Sequence, residues 1–131
     1  GCGARPGSCV LMARDAGQRL ADILEAAVDL LGIAADLDDD SFQALPHGDR
    51  IAFRAMKNAL AEIGEAVKML PGEFTARHPE VDWKGFAGLR DIVAHQYFGL
   101  DTKRLLPVIK NEVPGLLAAV QEGLRLLDLD G

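Results

Sequence analysis

Aromatic residues make up only 5% of this 131-residue chain, with a single Trp and a single Tyr, and there are just two Cys, three His and six Pro. No stretch alternates the Val, Ile, Tyr and Phe that line a sheet face, whereas Leu and Ala dominate the 49% that is apolar. That balance excludes a β-rich fold and favours packed helices. No apolar run approaches the roughly 18 residues that cross a bilayer, and no secretory segment is seen, so no membrane association and a cytoplasmic location are expected. Positive charge is also short, with 14 Lys and Arg against 20 Asp and Glu for a net of −6. Indiscriminate coating of nucleic acid is thereby excluded, because phosphate binding needs positive potential. Cys2 and Cys9 match no zinc spacing, and a bridge between them would staple only a tail. His47, His78 and His95 form no metal-ligand spacing either, so no metal and no cofactor is expected.

At this length the chain holds one domain with a single core. Residues 1–12, rich in Gly near the start, are expected as a disordered leader, and residues 13–128 as the domain. A first helix is predicted from Asp15 to Ala34, since Leu20, Ile23, Leu24, Ala27, Leu30, Leu31 and Ala34 repeat at intervals of three and four. An acidic loop over 36–40 follows, with Ser41 as the cap of a short turn that Pro46 and Gly48 end. Asp49 suits the N-cap of a second long helix to Leu70, with Ile51, Ala55, Ala59, Ile63, Val67 and Leu70 inward and Met56 and Leu60 widening the stripe. Gly64 costs about 1 kcal/mol relative to Ala inside such a helix, which implies a packing reason for it. Asp82 is expected to cap a third helix from Trp83 to Phe98, ended by Gly99. Asp101 starts another, which Pro107 should kink or break, and Pro114 opens the last, through Leu127. His47 and His78 read as surface loop groups. The sum is an all-α, antiparallel bundle of four to five helices.

The third helix carries the polar groups that chemistry needs. With Arg90 at 0° and about 100° per residue, Phe86, Leu89, Ile92 and Val93 fall on one arc that should be buried. Tyr97 lies beside Arg90, and Asp91 and His95 flank a face whose only small residue is Ala94. Taken singly, Asp91 and His95 are an ordinary i,i+4 pair and Arg90 an ordinary surface charge. From Arg77 to Arg104 there are five Lys or Arg against four Asp or Glu, a net of +1 that leaves −7 to the rest of the chain. An acidic body thus has one face where RNA could sit.

Arg90, His95 and Tyr97 spell Arg-x4-His-x-Tyr within GLRDIVAHQYF over residues 88–98. With LADILEAA over 20–27, EIGEAVK over 62–68, PEVDW over 79–83 and KNEVPGL over 110–116, the chain resembles HepT-like toxins of the HEPN superfamily across residues 13–120. Asp82 stands where many of them carry Pro, and Pro107 where they usually continue a helix. The resemblance implies a metal-independent endoribonuclease, the toxin of a toxin–antitoxin pair, with Arg90 and His95 catalytic. Asp91 is expected to support them. Cleavage of RNA by its own 2′-hydroxyl needs a base, an acid and positive charge on the phosphorane; imidazole, with an ordinary pKa of about 6.5, and guanidinium can supply these. One chain has one motif histidine, so a homodimer with a composite cleft is expected. Tyr97 resembles the tyrosine to which an MntA-like nucleotidyltransferase antitoxin adds AMP. The competing reading is a non-catalytic interaction or substrate-binding subunit for such a nucleotidyltransferase, since one fold supports either use.

Overall fold

The apolar stripes of the two longest predicted helices meet in the centre of the molecule. The computed structural model describes residues 6–95 and 101–130. Helix α1 (Pro6–Asp36) packs along α3 (Arg50–Lys68) and α8 (Val113–Asp130). Between α1 and α3 lie α2 (Asp39–Gln43) and a 3-10 turn (Leu45–His47). After α3 come the short α4 (Gly72–Ala76), α5 (Trp83–Ala87) and α6 (Leu89–His95), then α7 (Thr102–Asn111), which packs on α8. Among the described residues all regular structure is helical, as composition implied. Ile23, Leu30, Phe42, Met56, Ile63, Ile109, Leu116 and Val120 are completely buried. Each such side chain contributes about 1.5–3 kcal/mol by leaving water, which makes this cluster the main support of the bundle.

Helix starts follow the chemistry of their caps. Asp49 accepts hydrogen bonds from the amides of Ile51 and Ala52 at 3.0 Å, and Asp82 accepts from Gly85 at 3.0 Å. Asp101 accepts from the amides of Lys103 and Arg104. Each carboxylate satisfies donors that the first helical turn leaves open. The cap of α2 is Asp38, which accepts from the Ser41 amide at 2.7 Å, in place of the expected Ser41. That amide, with a second hydrogen bond from the Ser41 side chain, holds the Asp38 carboxyl below the usual carboxylate range.

Several boundaries differ from expectation. Helix α1 begins at Pro6, so residues 6–12 continue it; Pro, with its preset φ and no amide proton, is at home in a first turn. Residues 1–5 of the expected leader lie outside the described residues. The inward face of α3 is Phe53, Met56, Leu60, Ile63 and Val67, while Ile51 is 83% exposed and Ala55 is exposed. Ile51 stands about 180° from Leu60 on the wheel, so the larger Phe53–Met56–Leu60 set turned the helix away from it. Pro107 does not break α7: its ring is exposed, and a single lost backbone hydrogen bond is tolerated. His78, expected at the surface, is buried against Phe74, with ring centroids 5.1 Å apart, and its carbonyl accepts the Trp83 Nε1 proton at 2.9 Å. An imidazole can bury its ring where, as here, its Nδ1 reaches a carboxylate, that of Glu80 at 3.2 Å.

Candidate active site

The helix expected from Trp83 is two pieces over Trp83–His95, and its expected end at Phe98 and Gly99 lies outside the described residues. Gly88 ends α5 with its amide directed to the carbonyls of Lys84, Gly85 and Phe86, and α6 starts at Leu89. Two glycines within four positions, Gly85 and Gly88, lower helix propensity enough for this local tightening. Leu89 and Val93 anchor α6, with Phe86 of α5 beside them in the core. Ile92 was expected in the same arc, yet it is 42% exposed at the mouth of an apolar cleft of about 350 Å³ between α5–α6 and α7. Neither Arg90 nor His95 lines that cleft.

What sets the position of α6 is its contact with α3. A Cβ added to Gly64 would lie 2.7 Å from the Arg90 amide nitrogen, 3.1 Å from the Arg90 Cβ and 3.3 Å from the Phe86 carbonyl oxygen. The two backbones therefore touch, which only the absence of a side chain permits, and this is the packing reason that Gly64 implied. Val93 shares a groove with Ala55, Asn58 and Ala61, so α6 runs forward as α3 runs back.

At this crossing the polar residues pair. Arg90 Nη1 lies 3.5 Å from Glu65 Oε1, and Asp91 Oδ2 lies 3.6 Å from Lys68 Nζ. His95 Nδ1 is 2.7 Å from the Asp91 carbonyl oxygen. A carbonyl only accepts, so this contact requires the proton on Nδ1 and leaves the lone pair of the neutral ring on Nε2. Arg90, Asp91, Ala94 and His95 are all exposed. Asp91, expected as a supporting residue, turns its carboxylate to Lys68, and its backbone carbonyl meets His95. Tyr97 lies outside the described residues. Glu65 and Lys68 were not singled out from sequence, although Gly64 inside an otherwise sound helix marked the level at which α3 would meet a neighbour.

The two sides of α3 differ in charge. Toward α1, a groove is lined by Arg19, Asp22, Glu25, Glu62 and Glu65. Partial burial, and then the nearby charges of Glu25, Asp22 and Asp29, push the Glu62 carboxyl above its usual range. Toward α6, the groove is lined by Arg54, Lys57 and Asn58 with Ala55, Ala61 and Val93, and Lys57 Nζ lies 4.4 Å from the centroid of the Phe53 ring. An anion approaching α6 is repelled from one side and attracted from the other. Among the described residues no group of three or more His, Cys, Asp or Glu could hold a metal ion, and no helix is long and apolar enough to cross a membrane.

Comparison with known proteins adds a lineage to this geometry. Residues 23–122 match the family model described as ribonuclease HepT-like. A provisionally named RNase of Methanocaldococcus jannaschii is 35% identical over 90% of this chain and 93% of its own length. A second from the same organism is 35% identical over 82% of this chain and 95% of its own. A provisionally named ribonuclease HepT of Thermococcus cleftensis is 42% identical over 47% of this chain and 56% of its own. No solved structure matches.

Proposed function

This chain belongs to the ribonuclease HepT-like family, and from that premise we propose that it is a metal-independent endoribonuclease whose cleft is built from the Arg90 and His95 of two protomers. The observation that carries the reading is the exposed His95, whose Nδ1 contact with the Asp91 carbonyl leaves Nε2 as the basic atom on the same seven-residue helix as an exposed guanidinium. In one protomer His95 Nε2 takes the proton of the RNA 2′-hydroxyl; in its partner a protonated His95 gives a proton to the departing 5′-oxygen. The 2′-oxygen bonds to phosphorus as the bond from phosphorus to the 5′-oxygen breaks, leaving a 2′,3′-cyclic phosphate. The two Arg90 side chains hold the non-bridging oxygens, where negative charge grows.

A pairing surface is available beside the motif. Ile51 and Ala55, one turn apart on α3, are exposed, as are Ala94 and part of Ile92 on α6. Ala94 lies on the motif helix itself, and apolar groups left in water there and on α3 favour a second copy beside the motif. The chemistry is tested with a short RNA incubated in excess chelator. Cleavage is expected to yield cyclic-phosphate and 5′-hydroxyl ends, and an otherwise identical 2′-O-methyl strand should stay whole. Cutting of the methylated strand, or loss of cutting on chelation, would overturn the mechanism; no cutting at all would favour the non-catalytic interaction subunit.

The same reading makes the protein the toxin of a toxin–antitoxin pair, held in check by a nucleotidyltransferase that adds AMP to Tyr97. Two positions beyond His95 in sequence, an adenylate on Tyr97 would bring negative charge and bulk to the phosphate site. Co-expression with such a transferase is expected to raise the mass of wild-type protein by one adenylyl group and leave Tyr97→Phe unchanged. An equal gain in both would sink the assignment.

A further inference from the structure

We propose that Glu65 of α3 is a positioning residue for Arg90, an inference that rests on the ribonuclease reading above. Glu65 follows Gly64, whose missing side chain brings the α3 backbone against the Arg90 amide. The carboxylate is thereby held at a set distance from the guanidinium it meets, Oε1 to Nη1 at 3.5 Å. The pair is too exposed to matter for folding: its side chains retain 54% and 61% of their accessibility, and such pairs contribute little to stability. Its use lies in order. A free arginine samples many rotamers and must lose that freedom on meeting a phosphate. Glu65 engages one terminal nitrogen beforehand, and Nη2 and Nε remain to grip a phosphate oxygen pair.

The surroundings explain why the anchor belongs on this side. Glu65 lines the acidic groove with Asp22, Glu25 and Glu62, from which RNA is repelled, so the carboxylate holds Arg90 from behind. Lys68 and Asp91 form the neighbouring pair at 3.6 Å, so α3 and α6 are tied at two adjacent points across the same backbone contact.

The test compares Glu65→Ala and Glu65→Gln in steady-state RNA cleavage, with His95→Ala and wild type alongside. Gln keeps an accepting oxygen at the same reach, whereas Ala keeps none. Glu65→Ala is expected to lower kcat by about tenfold with KM changed less than about twofold, and Glu65→Gln to restore most of kcat. Both should melt with wild type. A second readout needs no turnover: the guanidinium NMR signal of Arg90, assigned by its loss in Arg90→Lys, should shift in Glu65→Ala and stay near its wild-type position in Glu65→Gln. Equal behaviour of the two variants, or a kcat at or above wild type in Glu65→Ala, would overturn the positioning role while His95-dependent cleavage stood. Cleavage surviving in His95→Ala would instead bring down the ribonuclease reading, and this inference with it.

Discussion

Replacing His95 with alanine is expected to reduce RNA cleavage at least about 100-fold, because proton transfer by a placed side chain contributes roughly 10²–10⁴ in rate. The folded state should barely notice, since His95 is exposed and its hydrogen bond among the described residues is with a backbone carbonyl of its own helix. An unchanged melting curve beside a collapsed rate is therefore the signature of a chemical role, and unchanged cleavage would remove His95 from the mechanism. The same variant also tests the composite cleft. If each cleft needs the histidines of both protomers, re-equilibrated equal mixtures of wild type and His95→Ala should show about a quarter of wild-type activity, as random pairing in a twofold dimer leaves about one dimer in four intact. A self-contained site would retain half.

Gly64→Ala should destabilise the fold even though Ala is the better helix former. Helix propensity alone would make the change favourable by about 1 kcal/mol. The added methyl, however, would sit 2.7 Å from a backbone nitrogen, that of Arg90, and 3.3 Å from the Phe86 carbonyl oxygen. Neither atom belongs to a side chain that can swing aside, so α6 must move as a body. A net loss of about 1–3 kcal/mol is expected, the usual cost of overpacking, with the melting temperature lower by several degrees. Because Arg90 is the residue pushed, cleavage should fall as well; a displacement of about 1 Å can cost on the order of 100-fold in rate. A Gly64→Ala protein as stable as wild type would show that the helices separate cheaply and that Gly64 has no packing role.

These two predictions differ in how far they could be reached from sequence. His95 stood out by its spacing from Arg90 and Tyr97, which survives any error in helix boundaries. Gly64 stood out too, as a glycine in the interior of a strong helix, but not the atoms it meets. The partners of the motif side chains were harder still. Asp91 is one turn from His95, yet Lys68 of another helix meets its carboxylate and it is the carbonyl of Asp91 that reaches the ring. Glu65 gave no local sign at all, because nothing in the spacing between residues 65 and 90 says that they are neighbours.

Local rules determined a great deal here: the helical class, the caps at Asp49, Asp82 and Asp101, and the buried sides of α1 and α8. Those depend on groups within about one turn of each other, so composition, period and spacing carry them. Tertiary structure decided which way α3 faces, leaving Ile51 in water, and where the stretch from Trp83 to His95 tightens at Gly88. It also decided which charges Arg90 and Asp91 meet. Each of these is settled by competition between side chains far apart in the chain for the same space or the same partner. A helical period gives the angle between residues on one helix, whereas the angle between two helices follows only from which side chains fill the gap between them.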